Sequence, residues 1–148
     1  IVAVMGCRSS AALPSRPLSQ LRSAPTTVTV GARTLALSAE LWRDFMPISP
    51  PDGKPMIATL RIATEDGTGL PPGLKADSTW VLHGEHVWET LAVEQEPRAA
   101  GASRIEILAR EGPKWGPEIQ VDVVVRIVDA EGRVSLLRAP NQNVARAS

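Results

Sequence analysis

Beyond residue 26, apolar and polar residues alternate at a period of two, in short runs separated by clusters of Gly, Pro, Asp and Ser. Successive side chains of a strand point to opposite faces, so this period predicts strands with one buried face each. Thr26–Val30 puts Val28 and Val30 together. Thr34–Trp42 directs Leu35, Leu37, Ala39 and Leu41 inward, and Met56–Thr64 does the same with Met56, Ala58, Leu60 and Ile62. Trp80 and Leu82 share one face of a short strand. Over His86–Glu94 the alternation sends Val87, Leu91 and Val93 inward and His86, Trp88 and Glu94 outward. Further strands are Arg104–Arg110, Ile119–Asp129 (Val121, Val123, Val125 and Ile127 on one face) and Arg133–Arg138. The last follows Asp129-Ala130-Glu131-Gly132, a tight turn with glycine where a positive φ is favoured. No segment carries a sustained apolar repeat at helical spacing.

Seven or eight short strands predict an all-β fold, a two-sheet antiparallel sandwich over residues 26–148, with an extended N-terminal tail. The chain has 148 residues and is 43% hydrophobic, enough for one domain with a real core. Over residues 28–140 the number and spacing of strands resemble immunoglobulin-like and fibronectin-type sandwiches. That resemblance implies that Trp80, on a central strand, is the tryptophan such folds bury. The cysteine pair and tyrosine corner of those families have no counterpart, because Cys7 is the single cysteine and the chain holds no tyrosine. A jelly roll or an open barrel fits the same strand pattern.

The N-terminus differs in character. Ile1-Val2-Ala3-Val4-Met5-Gly6-Cys7 is an apolar run closing on a small residue and the single cysteine. Val4-Met5-Gly6-Cys7 resembles the bacterial lipobox, with Met5 as its poorest match. The resemblance implies lipidation at Cys7 and a place in the bacterial cell envelope, at the periplasmic or extracellular face of a membrane. An uncleaved signal-anchor and a buried N-terminal strand are the alternatives for residues 1–7. Residues 8–25, RSSAALPSRPLSQLRSAP, have the composition of an extended linker rich in Pro, Ser and Arg.

Net charge is zero, which argues against nucleic-acid partners, since neutralising phosphates needs a basic excess. The balance is uneven: residues 1–39 carry Arg8, Arg16, Arg22 and Arg33 and no acid, and the remainder is acidic by the same margin. A single cysteine excludes an internal disulfide and a cysteine-built metal cluster within this chain. No nucleophile elbow, phosphate-binding loop or dinucleotide fingerprint is present, so no enzymatic activity and no cofactor are expected.

The candidate chemistry is that of binding. Between Asp77 and Glu96 lie five acids, Asp77, Glu85, Glu89, Glu94 and Glu96, and no Lys or Arg. Such a face suits a basic partner. Trp42 and Phe45 precede the proline-rich stretch Pro47–Pro51, Trp88 lies on the His86–Glu94 strand, and Trp115 sits between Pro113 and Pro117. Aromatic rings on stiffened loops are inexpensive to order at an interface, and equally suited to capping a core. Candidate partner-binding residues are therefore Trp42, Phe45, Trp88, Trp115, Glu85, Glu89 and Glu94. His83-Gly84-Glu85-His86 has donors for Zn²⁺ or Cu²⁺. It lacks the helical HExxH spacing and a third histidine, reads first as a polar hairpin turn, and no bound metal is expected.

These features together imply a non-catalytic, membrane-tethered accessory or scaffold subunit. It would dock on a larger membrane protein complex such as an electron-transfer or photosynthetic complex, a transporter or a secretion machine. The alternative is a free-standing surface lipoprotein that binds carbohydrate or another protein. No small-molecule ligand is expected for the first reading.

Overall fold

A computed structural model describes residues 16–95 and 98–147. A short helix, α1 (Leu18–Arg22), precedes eight strands: β1 (Thr27–Val30), β2 (Arg33–Asp44), β3 (Met56–Thr64), β4 (Lys75–His83), β5 (His86–Leu91), β6 (Arg104–Gly112), β7 (Gln120–Val128) and β8 (Val134–Ala147). The hydrogen-bonded order is β5-β4-β7-β8-β2-β3-β6, with β1 added as a hairpin partner of β2. The sheet curls into two layers, one of β2, β3 and β6, the other of β5, β4, β7 and the first part of β8. The expected all-β, sandwich-like fold is present. Its sheet is mixed rather than wholly antiparallel, because Leu41–Asp44 of β2 pairs in parallel with Val144–Ala147 of β8. Pairing between segments so distant leaves no trace in local alternation.

The two layers meet over one apolar core. Met56, Ala58, Leu60 and Ile62 of β3 face Val121, Val123, Val125 and Ile127 of β7, with Leu35, Leu37 and Leu41 from β2 and Ile105 and Ile107 from β6. Burial of this apolar surface is the main source of stability, at about 25 cal/mol per Å². Three bulges adjust the strands to it. Asp77 is the extra residue between Ala76↔Ile127 and Ser78↔Arg126. Arg110 and Glu111 (φ 63°) oppose Ile57 alone. Pro140 and Asn141 (φ 56°) oppose Asp122, whose Oδ1 accepts a hydrogen bond from the Asn141 amide. At this last bulge β8 turns the corner from one layer to the other, the usual device by which a strand changes sheets.

In its described part, the linker expected over residues 8–25 is not extended. Pro17 fixes the entry to α1, its carbonyl accepts from Gln20 and Leu21, and Leu21 and Ala24 are fully or almost fully buried. Leu18, Leu21 and Ala24 recur at three-residue spacing, which places them on one side of a helical turn. They pack on Trp80, Leu82, Val124 and Leu136. This is a second apolar cluster, on the outer face of the β4-β7-β8 layer. Trp80 is therefore buried, as expected, yet beneath the N-terminal segment rather than in the sandwich core; Val81, one residue on, faces that core. Arg22 secures the segment by donating to the Gly84 carbonyl and pairing with Asp122 at 3.6 Å. Arg138 adds a bond to the Ala24 carbonyl at 2.8 Å.

β5 reverses the facing expected for it. The turn Gly84-Glu85 sets the register His83↔His86, Leu82↔Val87, Val81↔Trp88 and Trp80↔Glu89. Residues directly opposite share a face, so Trp88 falls on the core side with Val81, and Val87 and Leu91 turn outward. Val87, Leu91 and Val93 are 42%, 56% and 57% exposed. Trp88 reaches across to the opposite layer, where Gly112 at the end of β6 makes room for its six-membered ring. The strand also stops at Leu91 rather than Glu94; residues 93–95 instead bond to β6 through Leu108 and Gln95.

Candidate functional site

The β4–β5 hairpin and the β6–β7 loop meet at one end of the sandwich. His83 and His86 are the last cross-strand pair before the turn, and both side chains extend the core face beyond the end of the core. Their ring centroids lie 6.4 Å apart. Trp115, held in the loop between Gly112 and Gln120, stands 5.5 Å from the His83 ring and 6.2 Å from the His86 ring, tilted to each. Three rings from a hairpin and a loop thus form one cluster, half-buried at His83 and Trp115 and open to solvent at His86. Among the described residues no three His, Cys, Asp or Glu side chains converge, so the imidazole pair is the metal-ligating chemistry at this end.

Arg43 holds the neighbouring loops together. It is the charged side chain at the buried end of β2, only 2% exposed. Its Nε donates to the Lys54 carbonyl at 3.0 Å and Nη1 to the carbonyls of Lys114 (3.2 Å) and Gly116 (2.9 Å), while Nη2 donates to that of Asp52. Carbonyl oxygens from two loops thus replace the water a buried guanidinium loses. Phe45 lies between cations, with the Arg43 and Arg146 guanidinium carbons 4.9 and 4.2 Å from its ring centroid. Lys114 bridges the same two loops on the outside, with Nζ 3.0 Å from Asp52 Oδ1. That hydrogen bond is the first cause of the lowered pKa of the Asp52 carboxyl; desolvation opposes it, and the Lys114 and Arg43 charges add to the lowering.

The remaining candidate residues are dispersed. Trp42 is half-buried on the outer face of β2, opposite Ile57 and Ala145. Trp88 packs into the core. Glu85 is exposed in the hairpin turn, and Glu89 lies opposite Trp80 on the outer face. Glu94 pairs with Arg98 at 3.1 Å, and Asp77 with Arg126. The acidic stretch is therefore less charged in the fold than along the chain. The large apolar side chains that reach solvent are others: Met46 and Ile48 (90% exposed) in the β2–β3 loop, Val87, Leu91 and Val93 along β5, and Val134. Sequence alternation misses the exposed row on β5 because it assigns those residues to the core. Cys7 lies outside the described residues, and among these no helix is long and apolar enough to cross a membrane.

β5 ends the strand order, so its outer backbone edge has no strand partner among the described residues. The exposed side chains of Leu91 and Val93 and the neighbouring Leu108 line an open groove between β5 and β6. An unpaired edge flanked by apolar groups offers main-chain hydrogen bonds and contact area together. No family model, no curated protein and no solved structure matches this chain.

Proposed function

We propose that this domain is a non-catalytic docking module. In this reading it is an immunoglobulin-like sandwich, tethered at the outer face of a bacterial membrane, that serves as accessory subunit of a larger membrane protein complex. The observation that carries the docking role is β5: an edge strand, unpaired on its outer side among the described residues, with Val87 and Leu91 exposed on one face and Val93 just beyond it. The partner is an extended basic segment that adds a strand to this edge. Exposed Glu85 in the adjoining turn favours a basic segment, although Asp77 and Glu94 are already paired with Arg126 and Arg98. The immunoglobulin-like reading is supported by the layering, with β2-β3-β6 opposite β5-β4-β7-β8 as such sandwiches group their strands. The tether rests on the lipobox-like Val4–Cys7 alone.

Native separation of gently solubilised source membranes, with mass spectrometry of what co-migrates, tests this reading. Co-migration with one large complex at fixed stoichiometry, lost when Leu91→Lys and Val93→Lys are introduced together, is the expected result. Migration alone overturns it in favour of a free-standing surface lipoprotein.

A further inference from the structure

We propose that His83 and His86 form a two-imidazole site for a divalent transition-metal ion of the Cu²⁺ class, walled on one side by Trp115. The pairing is built into the backbone. The two histidines are directly opposite each other at the last rung of the β4–β5 ladder, so both side chains leave the same face. A turn of two residues, with Gly84 at φ 60°, closes that rung and fixes the separation of the two Cα atoms. The ligands are thus preorganised by a hairpin rather than gathered from mobile loops.

The rings stand just beyond the separation that one ion requires. With metal–nitrogen bonds of about 2.0 Å, two imidazoles on one metal have ring centroids separated by up to roughly 6 Å. Those of His83 and His86 are 6.4 Å apart, so small side-chain rotations close the chelate. His86 is exposed and free to make that adjustment, and Trp115 limits the room available on the other side. Arg22, on the Gly84 carbonyl, comes from the α1 side, whereas both imidazoles lie on the core face, with the Trp115 ring within 6.2 Å of each. Two nitrogen donors and no ring of oxygens disfavour Ca²⁺ and Mg²⁺. Among first-row divalent ions such a site prefers Cu²⁺, with water in the remaining positions.

The test is a CuCl₂ titration of the full chain carrying Cys7→Ser, which removes a thiol that would itself bind or reduce copper. Tryptophan fluorescence and electron paramagnetic resonance are read in parallel near neutral pH. The expected result is saturable uptake of one equivalent, with nitrogen hyperfine structure and quenched emission. His83→Asn and His86→Asn each weaken binding at least about tenfold, because either change removes one arm of the chelate. Trp115→Phe keeps the resonance signal and loses most of the quenching. His86 is exposed, so His86→Asn retains the fold, as its circular dichroism will verify. Uptake unchanged in the double asparagine variant, or no saturable uptake by the parent, overturns the proposal.

Discussion

Gly112 of β6 lies against the six-membered ring of Trp88 of β5, so close that a Cβ on the glycine would come within 2.6 Å of Cζ3. The two residues belong to opposite layers, and their contact closes one side of the sandwich. Gly112→Ala forces the indole out of its position and is expected to cost about 1–3 kcal/mol in urea unfolding. In a Trp88→Leu background the same substitution loses most of its cost. A double-mutant cycle therefore measures the contact itself.

Replacing Arg43 tests the loop anchor. Arg43→Met removes the side chain that joins four carbonyls of two loops, at Asp52, Lys54, Lys114 and Gly116. A loss of about 3 kcal/mol or more in stability is expected. Arg43→Lys recovers little of it, since one ammonium cannot present the planar array of donors that reaches both loops. Amide exchange in residues 113–119 should accelerate in both variants.

The N-terminal segment makes a separate prediction. Leu21 is completely buried on Trp80 and Leu82, so Leu21→Ala should cost about 2–4 kcal/mol. A Leu21→Glu change should release the helix from the sheet and shift tryptophan emission to the red as Trp80 meets water. The sandwich core does not include Leu21, so near-native strand content by circular dichroism is expected to persist.

Asp52 and Lys114 give a pH signature. A carboxyl whose pKa is lowered by folding contributes stability above its unfolded pKa, and that contribution fades as pH falls through the folded value. With Lys114→Met, Asp52 should titrate back in the usual carboxylate range, and the stabilities of parent and variant should converge in strong acid. Carboxyl chemical shifts followed by NMR measure the first effect, and acid unfolding curves the second. Both groups are well exposed, so the stability difference is small.

Several elements were legible from alternation because they bury one face against the core. β3 and β7 are of this kind: Met56, Ala58, Leu60 and Ile62, and Val121, Val123, Val125 and Ile127, are all buried. β5 was not, because an edge strand can carry Val87 and Leu91 on a solvent-exposed face; its facing is decided by the two-residue turn. Alternation puts Trp80 and Leu82 on one face, yet β4 is buried on both faces and its pattern does not say which cluster each residue joins. α1 leaves little periodic trace because it is five residues long and set among prolines and serines. Pro17 with Leu18, Leu21 and Ala24 was the available signal. At the hairpin end, the proximity of His83 and His86 followed from their spacing. The approach of Trp115 from another loop is tertiary and had no local mark.

The parallel rung between Leu41 and Val144 joins residues about a hundred positions apart. Closing so long a loop is among the slower steps available to a small β-domain. During synthesis β2 and β3 can pair early, but the layer containing β4 and β7 stays unattached to them until β8 has emerged and spanned the corner. β8 thus acts as a latch. A chain shortened before residue 144 is expected to resemble a nascent chain: sticky, sensitive to proteases and dependent on a chaperone, even though nearly every residue of the core is already present.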